Sequence, residues 1–181
     1  RTGTWPQLAR GLCRAEEAWF DGDLGGAPAI FQNMQALARL RMDIGWVGEF
    51  DLAQVANLCP LPHLRHVFLR GRASTVNEGR MWASCSRGGA LTDAAMKSLL
   101  SALPALEALD ISFNFALTGD AARALGDHPT LRTVRWQHIG SAVNANLLSD
   151  LRRSKSLSNL DLSLLRPCPQ DGNGNLPDRA D

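Results

Sequence analysis

The sequence predicts a mixed α/β solenoid, in which a short curved parallel sheet lines the concave side and helices cover the convex side. The central observation is the stretch LEALDISFN at 106–114, where Leu106, Leu109 and Ile111 occupy the first, fourth and sixth positions and Asn114 the ninth. The same pattern recurs along the chain, as expected of coils that bury their apolar faces only by stacking. A capped helical pattern precedes two of the strands. These features predict about five or six coils.

The repeated frame has a nearly constant period. Its first position falls at Ala15, Leu37, Leu64, Leu106, Leu131 and Leu157. Three of the steps are 25, 26 and 27 residues long, within the range of about 20 to 29 residues expected for such coils. The first frame, with Ala18 and Phe20, is weaker and begins 22 residues before the next. It indicates a terminal, capping-like coil.

One step, from Leu64 to Leu106, is 42 residues long, which is too long for one coil and too short for two. It predicts an insertion at 71–89, a segment rich in Gly, Ser and Arg that also contains Met81 and Trp82. Long segments without periodicity are often functional or disordered. Two interpretations stay open: a flexible surface excursion, or a partner-binding loop with Met81 and Trp82 as its anchors.

The clearest helical pattern follows this insertion. Thr92 has the residue type and position of an N-cap, and Ala95, Leu99 and Leu103 share one face of the predicted helix. The next coil repeats the pattern as LTGDAARALGDHPTLRTV at 117–134. The repetition predicts two helices of similar position on neighbouring coils.

The chain divides into three predicted parts. Residues 1–14 carry apolar side chains at helical spacing and predict an N-terminal capping helix. Residues 15–166 form the predicted solenoid. The last part, 167–181, is polar and rich in Pro, Gly and Asn, and it predicts an extended or disordered tail.

On these patterns the chain resembles the leucine-rich repeat family, in the longer helical subtypes typified by ribonuclease inhibitor and by F-box substrate receptors. The resemblance covers roughly residues 15–166 and depends on the repeat frame, not on a catalytic signature. It implies that the Asn114 side chain satisfies backbone groups in the turn after its strand. Because repeat scaffolds serve many unrelated partners, the resemblance concerns the fold more than the function.

Composition places the chain among ordinary globular proteins, with 45% hydrophobic and 20% charged residues and a net charge of +1. No global field therefore directs it toward nucleic acid or an anionic membrane. No apolar run reaches the length of a membrane span. The four cysteines are scattered without a C-x-x-C pair, and no N-x-S/T sequon occurs. These features favour an intracellular location, in the cytoplasm or an organelle lumen.

No motif for catalysis, a cofactor or a metal stands out. The chain contains no G-x-S-x-G, P-loop, H-E-x-x-H or dinucleotide fingerprint. Cys59, His63 and His66 are close in sequence, but the repeat frame turns their side chains in different directions. We therefore predict a protein that is not an enzyme and has no catalytic, cofactor-binding or metal-binding residues.

The frame also predicts which side chains leave the core, because strand residues alternate between the two faces of a sheet. In the N-terminal half, Trp19, Arg41 and Phe68 form a row. The predicted partner-binding residues on the sheet are this row and its flanks: Trp19, Arg39, Arg41, His66, Phe68 and Arg70. Exposed aromatic residues with arginine are enriched at protein interfaces. An alternative is that the N-terminal helix or the insertion covers Trp19 and Phe68.

In the C-terminal half of the same face, Asp110, Arg135 and Asp161 alternate in sign on adjacent strands. They are predicted to neutralise one another as a cross-strand ladder. This half of the face is therefore predicted to be structural.

The functional prediction is a non-catalytic protein-protein interaction module, an adaptor or accessory subunit of a larger intracellular assembly. It would bind a protein partner through its concave face or through the insertion 71–89. One alternative is an RNA-binding component of a ribonucleoprotein, in which the arginines contact phosphates. A second alternative is the substrate-recognition fragment of a ubiquitin ligase, which requires an adaptor-binding helical domain ahead of the repeats.

Overall fold

The computed structural model of the chain describes residues 14–21, 33–43, 49–50, 61–71, 90–114, 116–139 and 146–164. The predicted insertion lies outside these residues except for Gly71, and the predicted capping helix except for Arg14. The tail 167–181 also lies outside them. The described part is a mixed α/β structure built on a parallel sheet.

Six parallel strands form the main sheet, and they lie side by side in the order in which they occur along the chain. They are β1 (Glu17–Asp21), β2 (Arg39–Asp43), β4 (His66–Arg70), β6 (Ala108–Asp110), β7 (Thr133–Ile139) and β8 (Asn159–Leu164). Two short strands, β3 (Glu49–Phe50) and β5 (Ala90–Leu91), pair in a second sheet. The predicted α/β class with a parallel sheet is therefore confirmed.

The repeat frame correctly identifies the core. Its first, fourth and sixth positions in the inner coils are all buried: Leu37, Leu40, Met42, Leu64, Val67, Leu69, Leu106, Leu109, Ile111, Leu131, Val134 and Trp136. Strand pairing is in register, so that residues at the same frame position are neighbours in the sheet. Each apolar position is thus adjacent in the sheet to its equivalents on the neighbouring strands.

Burial decreases at the last strand. Leu160, at the fourth position of its frame, is 37% exposed, whereas Val134 in the preceding strand is fully buried. The strand β8 has a neighbour in the sheet on one side, β7, among the residues described. The frame therefore predicts which face of the sheet Leu160 lies on. Its burial depends also on residues packed beside β8 on the side away from β7.

Three helices lie within the described residues: α1 (Asp93–Ala102), α2 (Gly119–Gly126) and the short α3 (Leu147–Leu151). Thr92 caps α1 as predicted, because its hydroxyl accepts a hydrogen bond from the Ala95 amide at 3.2 Å. Thr118 caps α2 in the same way through the Asp120 amide. The Asp93 carboxylate accepts hydrogen bonds from the Thr118 amide and hydroxyl, so the two helix starts are joined.

Asn114 fixes the turn after β6. Its buried side-chain amide donates to the carbonyl oxygens of Leu69 at 2.8 Å and Ile111 at 2.9 Å, and lies 3.3 Å from that of Ser112. Its side-chain oxygen accepts from the Leu91 amide at 3.4 Å. The predicted role of Asn114 in satisfying backbone groups is confirmed, and these bonds also join its turn to the preceding coil.

His128 occupies, one coil later, the position that Leu103 holds in the preceding coil. It is buried, and its Nε2 lies 3.2 Å from the Leu103 carbonyl oxygen, to which it donates. Its Nδ1 has no hydrogen-bond partner among the described residues. Burial lowers the pKa of His128 below its ordinary value of 6.5, and the backbone hydrogen bonds only partly oppose that shift.

This histidine should make the fold sensitive to acid. Because the folded state binds the His128 proton less readily than the unfolded state, the stability contribution is complete above the ordinary pKa of 6.5. It is lost as the pH falls below that value toward the lower folded-state pKa. His128→Leu should therefore show a smaller loss of unfolding free energy than wild type between about pH 7.5 and pH 5. Urea denaturation at both pH values tests this, and equal losses would contradict it.

Candidate functional site

The candidate site lies on the face of the main sheet opposite the core. One in-register row crosses all six strands through Trp19, Arg41, Phe68, Asp110, Arg135 and Asp161. The row changes in character at its middle, because aromatic and basic residues give way to alternating charges. We call Trp19, Arg39, Arg41, His66 and Phe68 the aromatic-basic patch.

Trp19 and Arg41 form the most exposed part of this patch. The Trp19 side chain is 66% exposed, and the guanidinium carbon of Arg41 lies 4.8 Å from the centroid of its ring. Such a cation-π contact contributes about 0.5–1 kcal/mol at an exposed site. It holds the Arg41 guanidinium against the tryptophan. The alternative in which the N-terminal helix or the insertion covers Trp19 concerns segments outside the described residues, and it stays a prediction.

The other three residues of the patch surround this pair. Phe68 is the register partner of Arg41 on the side opposite Trp19, and it is half-buried. Arg39 is exposed and lies in register between Glu17 and the half-buried His66. The structure thus brings together five of the six predicted sheet residues as one surface.

Arg39 and Arg41 differ from the other arginines of the sheet. Among the side chains that the structure describes, neither forms a salt bridge, even though Glu17 is the register partner of Arg39. Arg65 by contrast pairs with Glu107, and Arg135 with Asp161. The two patch arginines are the cations of this face that lack a described carboxylate partner.

Arg70 is separated from the patch by its own contacts. Its Nε lies 3.4 Å from Oδ2 of Asp110, and its guanidinium carbon lies 5.9 Å from the centroid of the Phe113 ring. The side chain therefore reaches diagonally across the sheet to the next strand. It belongs to the half of the face that carries the ion pairs.

The predicted charge ladder of the C-terminal half is correct for one pair only. Arg135 donates from Nε to Oδ2 of Asp161 at 2.9 Å, and Gln137 donates to the same oxygen at 2.9 Å. Asp110 pairs with Arg70 instead of Arg135. The charges of the C-terminal half of the face are therefore paired as predicted, except that Asp110 pairs with Arg70.

Asp110, which was predicted to leave the core on this face, is in fact buried, and so is Ser112, the next alternate residue of the same frame. Asp110 is 3% exposed, and its Oδ1 accepts a hydrogen bond from the Ser112 amide at 3.0 Å. The Ser112 hydroxyl in turn accepts from the Gln137 amide at 3.2 Å. The reason is that β6 ends at Asp110, and the chain turns through Phe113, whose φ of 65° is left-handed. Ser112 is therefore part of a turn and not of the open face.

A second surface feature was not predicted from the sequence. A cleft of about 360 Å³ lies between α3 and β8, lined by Leu148, Leu151 and Leu160 together with polar residues. Leu148 and Leu160 are among the exposed large apolar side chains. The signal that could have indicated this cleft is that the last repeat frame, at 157–162, has no further frame after it in the sequence.

The remaining predicted site residues, Met81 and Trp82, lie outside the described residues. Within the described ranges, no group of three or more His, Cys, Asp and Glu side chains could hold a metal ion. No helix in the part of the chain that the structure describes is long and apolar enough to cross a membrane.

Comparison of the sequence with protein-family models found no match. Comparison with curated proteins also found none.

Proposed function

We propose that the chain is a leucine-rich repeat solenoid that acts as a non-catalytic protein-binding module, an adaptor or accessory subunit of an intracellular assembly. Support for the solenoid comes from six parallel strands in chain order and from core positions that recur in register. The Asn114 hydrogen bonds between coils support it further. In this fold the aromatic-basic patch lies on the concave side.

The observation that carries the binding function is the exposed Trp19 ring, with the Arg41 guanidinium carbon 4.8 Å from its centroid. A large apolar side chain exposed to this extent costs free energy in water unless a partner covers it, at about 25 cal/mol for each Å² of apolar surface. Tryptophan and arginine are also the residues most enriched among those that dominate binding energy at interfaces. Because the contact with the ring already restricts Arg41, part of the side-chain entropy that binding would cost is lost before the partner arrives.

The chemistry of the face favours binding over catalysis. Its carboxylates at Asp110 and Asp161 are occupied by Arg70 and Arg135. A general base or a nucleophile requires a group that is free to accept or donate a proton at the substrate. The C-terminal half is therefore better suited to holding the sheet than to reacting with a ligand.

Affinity purification from the native source would test the module. The bait would be the full chain as wild type, as Trp19→Ala/Phe68→Ala and as a control, Leu148→Ala, which changes an exposed apolar residue in the α3 cleft. We expect a stoichiometric protein partner to be retained by wild type and by the control. The double variant should weaken its binding at least tenfold, about 1.4 kcal/mol.

Thermal melts monitored by circular dichroism would establish that all three baits fold. A partner retained by the folded double variant would contradict binding through the patch. A partner lost only from Leu148→Ala would place binding at the α3 cleft and would likewise contradict the proposal.

A further inference from the structure

We propose that the patch binds an extended acidic segment of a partner protein, with two carboxylates separated by one residue. This inference depends on the proposed binding function and specifies its ligand. The two carboxylates would bind Arg39 and Arg41, and the neighbouring aromatic rings would contact the apolar part of the segment.

The first argument is a comparison of two arginines in the same row. Arg135 receives a carboxylate from Asp161, its register partner on the next strand, at 2.9 Å. The register partners of Arg41, Trp19 and Phe68, carry no charge, and among the described side chains Arg41 forms no salt bridge. A ligand carboxylate would form with Arg41 the kind of pair that Asp161 forms with Arg135.

The second argument is spacing. Arg39 and Arg41 are two residues apart on β2, so their side chains leave the same face of the sheet. Their Cα atoms are separated by about 6.6 Å along the strand, from a rise of about 3.3 Å per residue. An extended ligand has the same separation between residues i and i+2. A Glu-x-Glu segment aligned with β2 would thus place one carboxylate at each arginine.

The third argument concerns the position of the Arg41 guanidinium. Its central carbon lies 4.8 Å from the centroid of the Trp19 ring. A guanidinium can bind a carboxylate with two parallel N–H hydrogen bonds. Arg41 therefore presents a fork for a planar anion beside an aromatic ring that would contact the ligand's methylene groups.

A nucleic-acid backbone is a poorer fit to this surface. Binding to it is usually supported by many phosphate contacts, each replacing a counterion. The patch supplies two arginines without a carboxylate partner among the described side chains, whereas Arg65, Arg70 and Arg135 nearby are paired with carboxylates. Two cations at peptide spacing match two carboxylates better than a phosphate chain.

Nuclear magnetic resonance titration of the full chain with short peptides would test the inference. The probe is acetyl-Ala-Glu-Ala-Glu-Ala-amide, compared with acetyl-Ala-Glu-Glu-Ala-Ala-amide of equal charge and with the Gln-x-Gln analogue. Shifts of the Trp19 indole and Arg41 Nε–H signals would report binding at the patch. We expect the Glu-x-Glu peptide to bind at least fivefold more tightly than the adjacent-Glu isomer and the neutral analogue to give no saturable shift.

Variants at matched positions of the row provide the control. Arg39→Gln and Arg41→Gln should each weaken the Glu-x-Glu peptide about tenfold, whereas Arg135→Gln should change its affinity less than twofold, because Arg135 is already paired. Arg41→Lys keeps the charge but loses the planar fork, so it should recover only part of the affinity. Circular dichroism would verify that each variant is folded.

Equal affinities for the two acidic isomers would overturn the inference, as would equal losses in Arg41→Gln and Arg135→Gln. Tighter, Arg41-dependent binding of a ten-nucleotide oligouridine would overturn it in favour of RNA. If the purified protein partner is lost from Trp19→Ala/Phe68→Ala but retained by Arg39→Gln/Arg41→Gln, the module stands and the acidic ligand is wrong. If the Glu-x-Glu peptide binds as expected but the protein partner survives the aromatic variant, the acidic site stands and the proposed interface is wrong.

Discussion

Replacing Asn114 with alanine is expected to lower the free energy of unfolding by about 3 kcal/mol. The substitution removes the donor to the Leu69 and Ile111 carbonyls and the acceptor of the Leu91 amide. These groups lie where water cannot readily replace the lost partner, and an unsatisfied buried group costs about 1–3 kcal/mol. The Leu69 bond also spans 45 residues of chain, so its loss loosens the contact between neighbouring coils.

Two further substitutions separate this effect from a general effect of losing an asparagine. Asn159→Ala removes an exposed amide from β8 and should change stability by less than about 0.5 kcal/mol. Asn114→Asp keeps the acceptor but places a carboxylate oxygen against two carbonyl oxygens, so it should destabilise at least as much as alanine. Urea denaturation measured by circular dichroism tests all three, and similar values for Asn114→Ala and Asn159→Ala would contradict the assigned role.

The sequence is most informative where local pattern and neighbouring coils agree. The first, fourth and sixth frame positions identify the core because each inner strand is covered by an equivalent strand on both sides. Leu160 has the same frame position as Val134, but it is 37% exposed because β8 has a described neighbour on one side. Periodicity predicts which face of the sheet a side chain lies on. Whether that side chain is buried depends also on a neighbouring strand on each side.

Side-chain pairing in the candidate site was less predictable than its location. The frame places Trp19, Arg41 and Phe68 in one row, and the strand register confirms it. It does not predict that Arg70 reaches across to Asp110, because a long flexible side chain can pair diagonally as readily as directly. The frame gives the Cα register, whereas the ion pairs depend on side-chain length and on where each strand ends.

The short strand β6 shows the same limit in the backbone. Its pattern continues through Ser112, but the strand ends at Asp110 because Asn114 draws the following residues into a hydrogen-bonded turn. The residue that best identifies the repeat is therefore also the reason why Ser112 leaves the face. Alternation along a strand predicts exposure only as far as the strand extends.

Gly126→Ala is the second substitution with a large expected effect, and here two physical effects have opposite signs. Gly126 is the last residue of α2, and replacing a helical glycine with alanine stabilises by up to about 1 kcal/mol. A Cβ at Gly126, however, would lie 2.1 Å from the backbone oxygen of Asp150 in α3. Backbone atoms cannot rotate away as a side chain does, so α2 and α3 must separate. Overpacking of this kind costs about 1–3 kcal/mol or more.

We therefore expect Gly126→Ala to destabilise the protein by about 2 kcal/mol despite its better helix propensity. Ala124→Gly in the same helix combines the propensity effect with the loss of one half-buried methyl group that packs against the core, and it should cost about 1–2 kcal/mol. If α2 and α3 packed loosely, the two substitutions would give opposite changes of similar size, and Gly126→Ala would be stabilising. Urea denaturation measures the sign of the change in unfolding free energy. Destabilisation by Gly126→Ala would show that α2 and α3 are packed too closely at Asp150 to admit a methyl group.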